Sequence, residues 1–249
     1  MEVLAIIPAR MNSSRYPGKP MELINGIPMI ELVYRQVIKC KTLSQTIVAT
    51  CDEEIYEHIL SIGGEAIMTK NTHERASDRC AEALIKVEKI KNKKYDIVVM
   101  IQGDEPMTHP DMIDQALYPL KRDKEILISN LMSEIKDLND LYDTNCIKVV
   151  FDRNLYALFF SRQPIPSVNL DSSVKIYKQV CVIPFRRDFL IKYNKLPPTP
   201  LEKAESVDMM RVLEHGFKLK LALTKFSTQA VDTPEDLKKV ENILSQKNT

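Results

Sequence analysis

Short runs rich in valine and isoleucine recur along this chain at 3–7, 45–50, 96–101, 126–131 and 147–151, and longer amphipathic stretches lie between the early ones. That alternation constrains the fold more than any other feature. A strand buried on both faces reads as a continuous apolar run, and a parallel neighbour needs a long, usually helical, crossover. The pattern therefore predicts βαβ units: an α/β fold with a mostly parallel twisted sheet flanked by helices. Pro28 suits the first turn of a helix whose apolar stripe is Met29, Ile30, Leu32, Val33, Val37 and Ile38. Asp52 suits the N-cap of the next helix, with Glu53, Glu54 and Glu57 near its start.

After residue 150 the pattern changes. Tyr156–Phe160 and Ile176–Ile183 read as extended, 186–194 and 203–215 as helical, Lys218–Leu223 as strand, and 234–246 as a closing helix capped by Thr233 with Pro234 first. Pro164–Ser173 reads as an exposed loop. The expectation is one domain over 1–249: a nucleotide-binding body from 1–150 and 217–249, with an embedded acceptor-binding and dimerisation lobe at 151–216.

A length of 249 residues suits one large α/β domain or two small ones, and a net charge of +1 offers no general field for nucleic acid or an anionic membrane. Any anion must be met by a local cluster. Cys40, Cys51, Cys80, Cys146 and Cys181 are scattered, with no Cys-x-x-Cys, which points to free thiols in a reducing compartment and away from zinc. The first apolar run is too short for a signal core or a membrane span, so a cytoplasmic protein is expected.

Three segments carry the chemistry. The strand Val3–Ile7 empties into Pro8–Pro20, where Arg10 and Arg15 offer forked donors and Lys19 a compact charge beside Ser13, Ser14 and Gly18. In an open α/β sheet this is where a ligand sits, and these cations suit a triphosphate. The loop has neither a dinucleotide fingerprint nor a P-loop, and the same residues also suit a solvated basic turn. Asp104 follows the run 97–101 in Gln102-Gly103-Asp104-Glu105-Pro106, and Asp232 opens Asp232-Thr233-Pro234-Glu235-Asp236. Either aspartate alone also suits a routine turn or helix start. Brought together they would form an oxygen site for Mg²⁺. Thr72–Arg79 holds His73, Arg75, Asp78 and Arg79, which suit either a nucleotide pocket or the polar start of a helix over 77–90. Arg162, after an aromatic strand, suits an acidic acceptor or a surface ion pair.

The motifs Ile-Pro-Ala-Arg at 7–10 with Arg15-x-Pro-Gly-Lys-Pro at 15–20, Asn-Gly-x-Pro-Met-Ile at 25–30, Gln-Gly-Asp-Glu-Pro at 102–106, Tyr-Ala-Leu-Phe-Phe-Ser-Arg at 156–162 and Val-Asp-Thr-Pro-Glu-Asp at 231–236 occur in order over nearly the whole chain. Together they resemble the 3-deoxy-manno-octulosonate cytidylyltransferase (CMP-Kdo synthetase) family. The resemblance implies a homodimeric, Rossmann-like nucleotidyltransferase that uses CTP and Mg²⁺, makes CMP-Kdo for lipopolysaccharide and releases pyrophosphate. It implies that Arg10, Ser13, Arg15 and Lys19 hold the triphosphate and that His73, Arg79 and Gln102 place the cytidine. It further implies that Asp104 and Asp232 carry the metal, with Lys19 completing the catalytic set, and that Arg162, Gln179, Glu205 and Asp208 meet the acidic sugar.

The departures from the family concern its ligand pockets. Arg75 stands in a motif that usually reads His-x-Ser-Gly-Thr-x-Arg, Gln179 replaces a His, Asp208 a Glu and Met209 a Gln. A site built to pair a hydroxyl discriminates strongly, so these changes leave Kdo and another acidic acceptor, such as a modified 3-deoxy-2-ulosonic acid or a phosphonate, both open. A CTP-binding regulator without catalysis is a further alternative.

Overall fold

The computed structural model describes residues 1–12, 16–167, 174–226 and 228–247. The chain divides into two compact units, Met1–Ile113 with Ser227–Thr249, and Asp114–Phe226.

The first unit opens with β1 (Val3–Pro8), the hairpin β2 (Leu23–Ile24) and β3 (Ile27–Pro28), then α1 (Met29–Val37), β4 (Gln45–Thr50), α2 (Glu53–Ser61), β5 (Ala66–Met68), α3 (Ala76–Lys91) and β6 (Ile97–Ile101). The strands lie side by side in the order β6–β1–β4–β5, and each pair is parallel. All of Val3–Pro8 and Ile97–Ile101 is buried, as continuous apolar runs require in a parallel sheet. The helix Pro234–Lys247 returns to this unit, and a core of Ile24, Met29, Met107, Val231, Leu237 and Val240 packs beneath it. The parallel sheet read from sequence is present here, and it brings the chain segments after β1, β4 and β6 to one edge, where ligands bind in such folds.

Across the unit boundary runs α4 (Pro110–Arg122), followed by β7 (Ser129–Glu134), α5 (Leu138–Tyr142), β8 (Lys148–Phe151), β9 (Ala157–Ser161), β10 (Tyr177–Val180), β11 (Val182–Arg186), α6 (Arg187–Tyr193), α7 (Pro200–Glu205), α8 (Asp208–Glu214) and β12 (Lys220–Thr224). In this second unit the strand order is β12–β7–β10–β8–β9. Only β12 and β7 are parallel there, and the other pairs are antiparallel. The turn 152–156 between β8 and β9 is too short for a crossover helix, which leaves the antiparallel arrangement. The long helix read over 203–215 is two helices. Ser206 takes a left-handed φ of 52° and ends α7.

Candidate functional site

Asp104 sits in the turn directly after β6. Gly103 lets that turn lie close to the end of β1: a Cβ there would stand 3.1 Å from Ile30 Cδ1 and 3.2 Å from the Pro8 carbonyl, so a side chain would fit only if these neighbours shifted by a few tenths of an ångström. The carbonyl of Asp104 accepts the Val231 N–H at 2.9 Å, which draws the 231–236 segment alongside. There the Asp236 carboxylate accepts from the N–H groups of Asp232 (3.2 Å) and Thr233 (3.1 Å), while Thr233 Oγ1 accepts the Asp236 N–H (3.2 Å). Thr233 caps the terminal helix as expected. Asp236 does more than favour the dipole, because it shapes the turn that presents Asp232.

Lys19 completes the cluster. Gly18, at a φ of 78°, turns the chain into the short 3₁₀ segment Lys19–Met21, and the buried Lys19 ammonium donates to Asp104 Oδ2 (2.7 Å), Val231 O (2.8 Å) and Asp232 Oδ1 (3.2 Å). Burial pulls the lysine pKa down, but Asp104 and then Asp232 outweigh it and hold it above its ordinary value. The ammonium thus stands where one cation meets both carboxylates. Two carboxylates and a carbonyl are hard oxygen donors of the kind Mg²⁺ takes. Among the described residues no group of three or more His, Cys, Asp and Glu side chains could hold a metal. An ion on Asp104 and Asp232 would therefore complete its shell with water or ligand oxygens.

The loop after β1 is pinned at both ends. Ala9 donates to Ala49 O (2.9 Å) and Gly18 to Met11 O (2.9 Å), while Met11 N–H reaches the Asp52 carboxylate at 2.9 Å. Asp52 is the N-cap residue of α2 by position, but its side chain makes no cap hydrogen bond there. It holds this loop instead. Ser13 and Arg15 lie outside the described residues. The Arg10 guanidinium donates to the His73 carbonyl at 3.1 Å, so the loop and the segment before α3 meet.

His73 and Arg79 differ in their surroundings. Arg79, only 3% exposed, donates to Thr69 Oγ1, to the Lys70 carbonyl (3.5 Å) and towards Cys51 Sγ (3.4 Å). It ties α3 to the ends of β4 and β5. The ring of His73 is hydrogen-bonded to Glu82, a residue that sequence reading did not single out, because nothing in a helical Glu nine positions downstream marks it. Arg75 is the N-cap residue of α3. Gln102, half-buried, follows β6 directly before Gly103.

In the second unit, Arg162 follows β9. Its guanidinium is held by the carbonyls of Glu205 (2.6 Å), Thr144 (2.7 Å) and Ser206 (3.3 Å), and its N–H donates to the Glu205 carboxylate at 2.8 Å. The fully buried Lys148 anchors the same corner through the carbonyls of Asp143 (2.9 Å), Cys146 (2.7 Å) and Arg162 (2.6 Å). Burial lowers its pKa. Ser161 pairs with Lys148, and Gln179 donates its N–H to Ile147 O at 2.8 Å, so the register places Arg162 and Gln179 on either side of Ile147. That separation is two strand spacings, roughly 10 Å. The Gln179 amide donates to Asn130 Oδ1 at 2.6 Å. Asp208 opens α8, and its carbonyl accepts from the Tyr193 hydroxyl at 2.9 Å. Met209 is buried at 1% exposure, so it serves the core.

Compared with known proteins, residues 4–223 match the cytidylyltransferase family model. The chain belongs to the cytidylyltransferase family. It is 42% identical to the 3-deoxy-manno-octulosonate cytidylyltransferase of Geobacter metallireducens, with 99% of each chain covered. It is 39% identical to that of Fusobacterium nucleatum, over 100% of this chain and 99% of the relative. Among solved structures, a CMP:2-keto-3-deoxy-manno-octonic acid synthetase complexed with CTP superposes with a TM-score of 0.90 at 34% identity, covering 99% of this chain and 100% of that one. A putative glucose-1-phosphate thymidylyltransferase from Bacillus anthracis shares the fold, with a TM-score of 0.67 at 14% identity.

Cationic and carboxylate groups lie together past the carboxyl ends of β1 and β6, which is where a nucleotide's phosphates meet an open α/β sheet.

Proposed function

We propose that this cytidylyltransferase transfers CMP from CTP to the anomeric hydroxyl of 3-deoxy-manno-octulosonate (Kdo) and releases pyrophosphate. The observation that carries the reading is its likeness, over essentially its whole length, to relatives named for that reaction, together with the convergence of Lys19, Asp104 and Asp232. In the reaction the sugar oxygen forms a bond to the α-phosphorus as the bond to the β-phosphate oxygen breaks.

The residues supply position and charge. Lys19 stays protonated beside its two carboxylates and presents a fixed positive charge, and Arg10 adds a second at the rim of the loop. Asp104 and Asp232 would hold Mg²⁺, which when bound offsets the negative charge of the phosphates. Arg162, fastened by main-chain carbonyls, offers its charge for the acceptor's carboxylate, and Gln179 in the same row offers an amide for a hydroxyl. Glu205 and Asp208 lie in the adjoining α7 and α8.

The homodimer belongs to this proposal and is supported by exposed apolar residues on β9 and β12, Leu158 at 60% and Leu223 at 45%. A cytoplasmic setting is supported by the five cysteines, which stand as thiols. Among the described residues no helix is long and apolar enough to cross a membrane.

The test is Mg²⁺-dependent pyrophosphate release from CTP with Kdo. Release at an ordinary enzymatic rate supports the reading, whereas release only with another acidic sugar or a phosphonate would move the acceptor. CTP binding with no release from any acceptor would favour a regulator.

A further inference from the structure

The segment between β5 and α3 is held from three directions, and one carboxylate takes the largest share. Glu82, in the second turn of α3, bonds His73 Nε2 and the Lys70 N–H (3.0 Å) with one oxygen. Its other oxygen meets Lys86 Nζ at 2.8 Å, and Lys86 in turn donates to the Met68 carbonyl at 2.8 Å. Arg79 fastens Thr69 and the Lys70 carbonyl from below, and Arg10 reaches the His73 carbonyl from the loop after β1. The His73 and Glu82 side chains are only 18% and 16% exposed, so water competes weakly for the bond between them.

We propose that Glu82 is a positioning residue for the nucleotide: its carboxylate fixes the His73 ring and the 69–73 segment so that His73 meets CTP in one orientation. The proposal rests on the reading of His73 as part of the CTP site. An ionised carboxylate can only accept, so the bond places a proton on His73 Nε2 in either charge state of the ring and leaves Nδ1 as its remaining polar atom. Lys86 and the Lys70 N–H keep Glu82 ionised and pointed. Its pKa is lowered to about 2, because burial, which alone would raise it, is outweighed by the bonds from Lys86, His73 and the Lys70 amide. The arrangement is that of an outer carboxylate orienting a functional histidine.

The experiment compares the full-length enzyme with Glu82→Gln, Glu82→Ala and His73→Ala in the pyrophosphate-release assay, with thermal denaturation and ¹⁵N NMR of the imidazole nitrogens alongside. Loss of one charge-assisted hydrogen bond predicts that the Glu82 variants raise the KM for CTP about tenfold, as His73→Ala does, while kcat and the KM for Kdo stay within about twofold. The His73 nitrogen signals, a single Nε2–H form in the native enzyme, become a mixture of tautomers in Glu82→Ala. An unchanged KM for CTP in a folded Glu82 variant overturns the proposal, as does an unchanged KM in His73→Ala. A fall in kcat with a raised KM for both CTP and Kdo and lost stability also overturns it, since that marks a merely structural carboxylate. If the native enzyme releases no pyrophosphate from CTP, the functional reading fails. The nitrogen spectra then still decide whether Glu82 orients the ring, and a single tautomer without Glu82 sinks that as well.

Discussion

Val231 donates its main-chain N–H to the carbonyl of Asp104 at 2.9 Å, so the residue just before Asp232 is fastened to the backbone of the other carboxylate. The spacing of the pair is therefore set by a main-chain bond and does not depend on side-chain rotamers alone.

Asp104→Asn and Asp232→Asn should each lower kcat/KM by at least about 100-fold, the scale of losing one preorganised electrostatic group at the reacting centre. Steady-state pyrophosphate release across a Mg²⁺ titration checks this. Unchanged turnover in both variants would remove the metal assignment.

Lys19→Met should cut kcat/KM by roughly 10- to 100-fold, in keeping with about 1.5–3 kcal/mol for hydrogen bonds to charged groups. It should also tighten Mg²⁺ binding to the free protein, because the ammonium no longer competes for Asp104 and Asp232. Calorimetric titration of Mg²⁺ into both proteins separates the two effects, and weaker Mg²⁺ binding in the variant would contradict the argument.

Glu202 and Arg211 form a buried pair in the second unit, with contacts of 2.7 and 2.5 Å, and the Arg211 pKa is raised, first by its bond to Glu202. Glu202→Gln leaves a buried guanidinium short of its counter-charge and should destabilise by about 3–5 kcal/mol. Replacing both residues with well-packed apolar ones should cost much less. Denaturant unfolding of the single and double variants is the comparison, and equal losses would show that the pair is not coupled.

Acid should weaken the fold through Glu82. Its folded pKa, about 2, lies below the ordinary carboxylate value of 4.5. Its stabilising contribution is thus complete above that ordinary value and fades as pH falls from 4.5 toward 2. Melting temperatures for the native protein and Glu82→Gln should converge across that window. Parallel curves would show that the carboxylate is not held in this way.

The sequence made the parallel sheet legible because burial on both faces leaves uninterrupted runs such as Val3–Ile7 and Ile97–Ile101. It marked Lys19, Asp104 and Asp232 because each sits where such a run, or a turn signal, ends. What stayed hidden depends on tertiary contact. The Asp52 carboxylate had a local role available as a cap and was taken by Met11 instead. Glu82 has Lys86 one helical turn on, but it gains His73 and the Lys70 amide only when α3 packs beside the 69–73 segment. The break at Ser206 lacked a glycine or proline to announce it, and Met209, read as a lost sugar contact, points into the core. The expected pairing of Arg162 with an acid gave no hint that main-chain carbonyls already anchor it.

Lys19 acts as an internal counter-ion. Two carboxylates this close would repel in an empty protein, and a fold that relied on a divalent ion to separate them would come apart in a chelator. With its own ammonium seated between them, the resting protein is electrostatically complete. If Asp104 and Asp232 hold Mg²⁺ as proposed, a chelator should halt turnover and leave the fold standing.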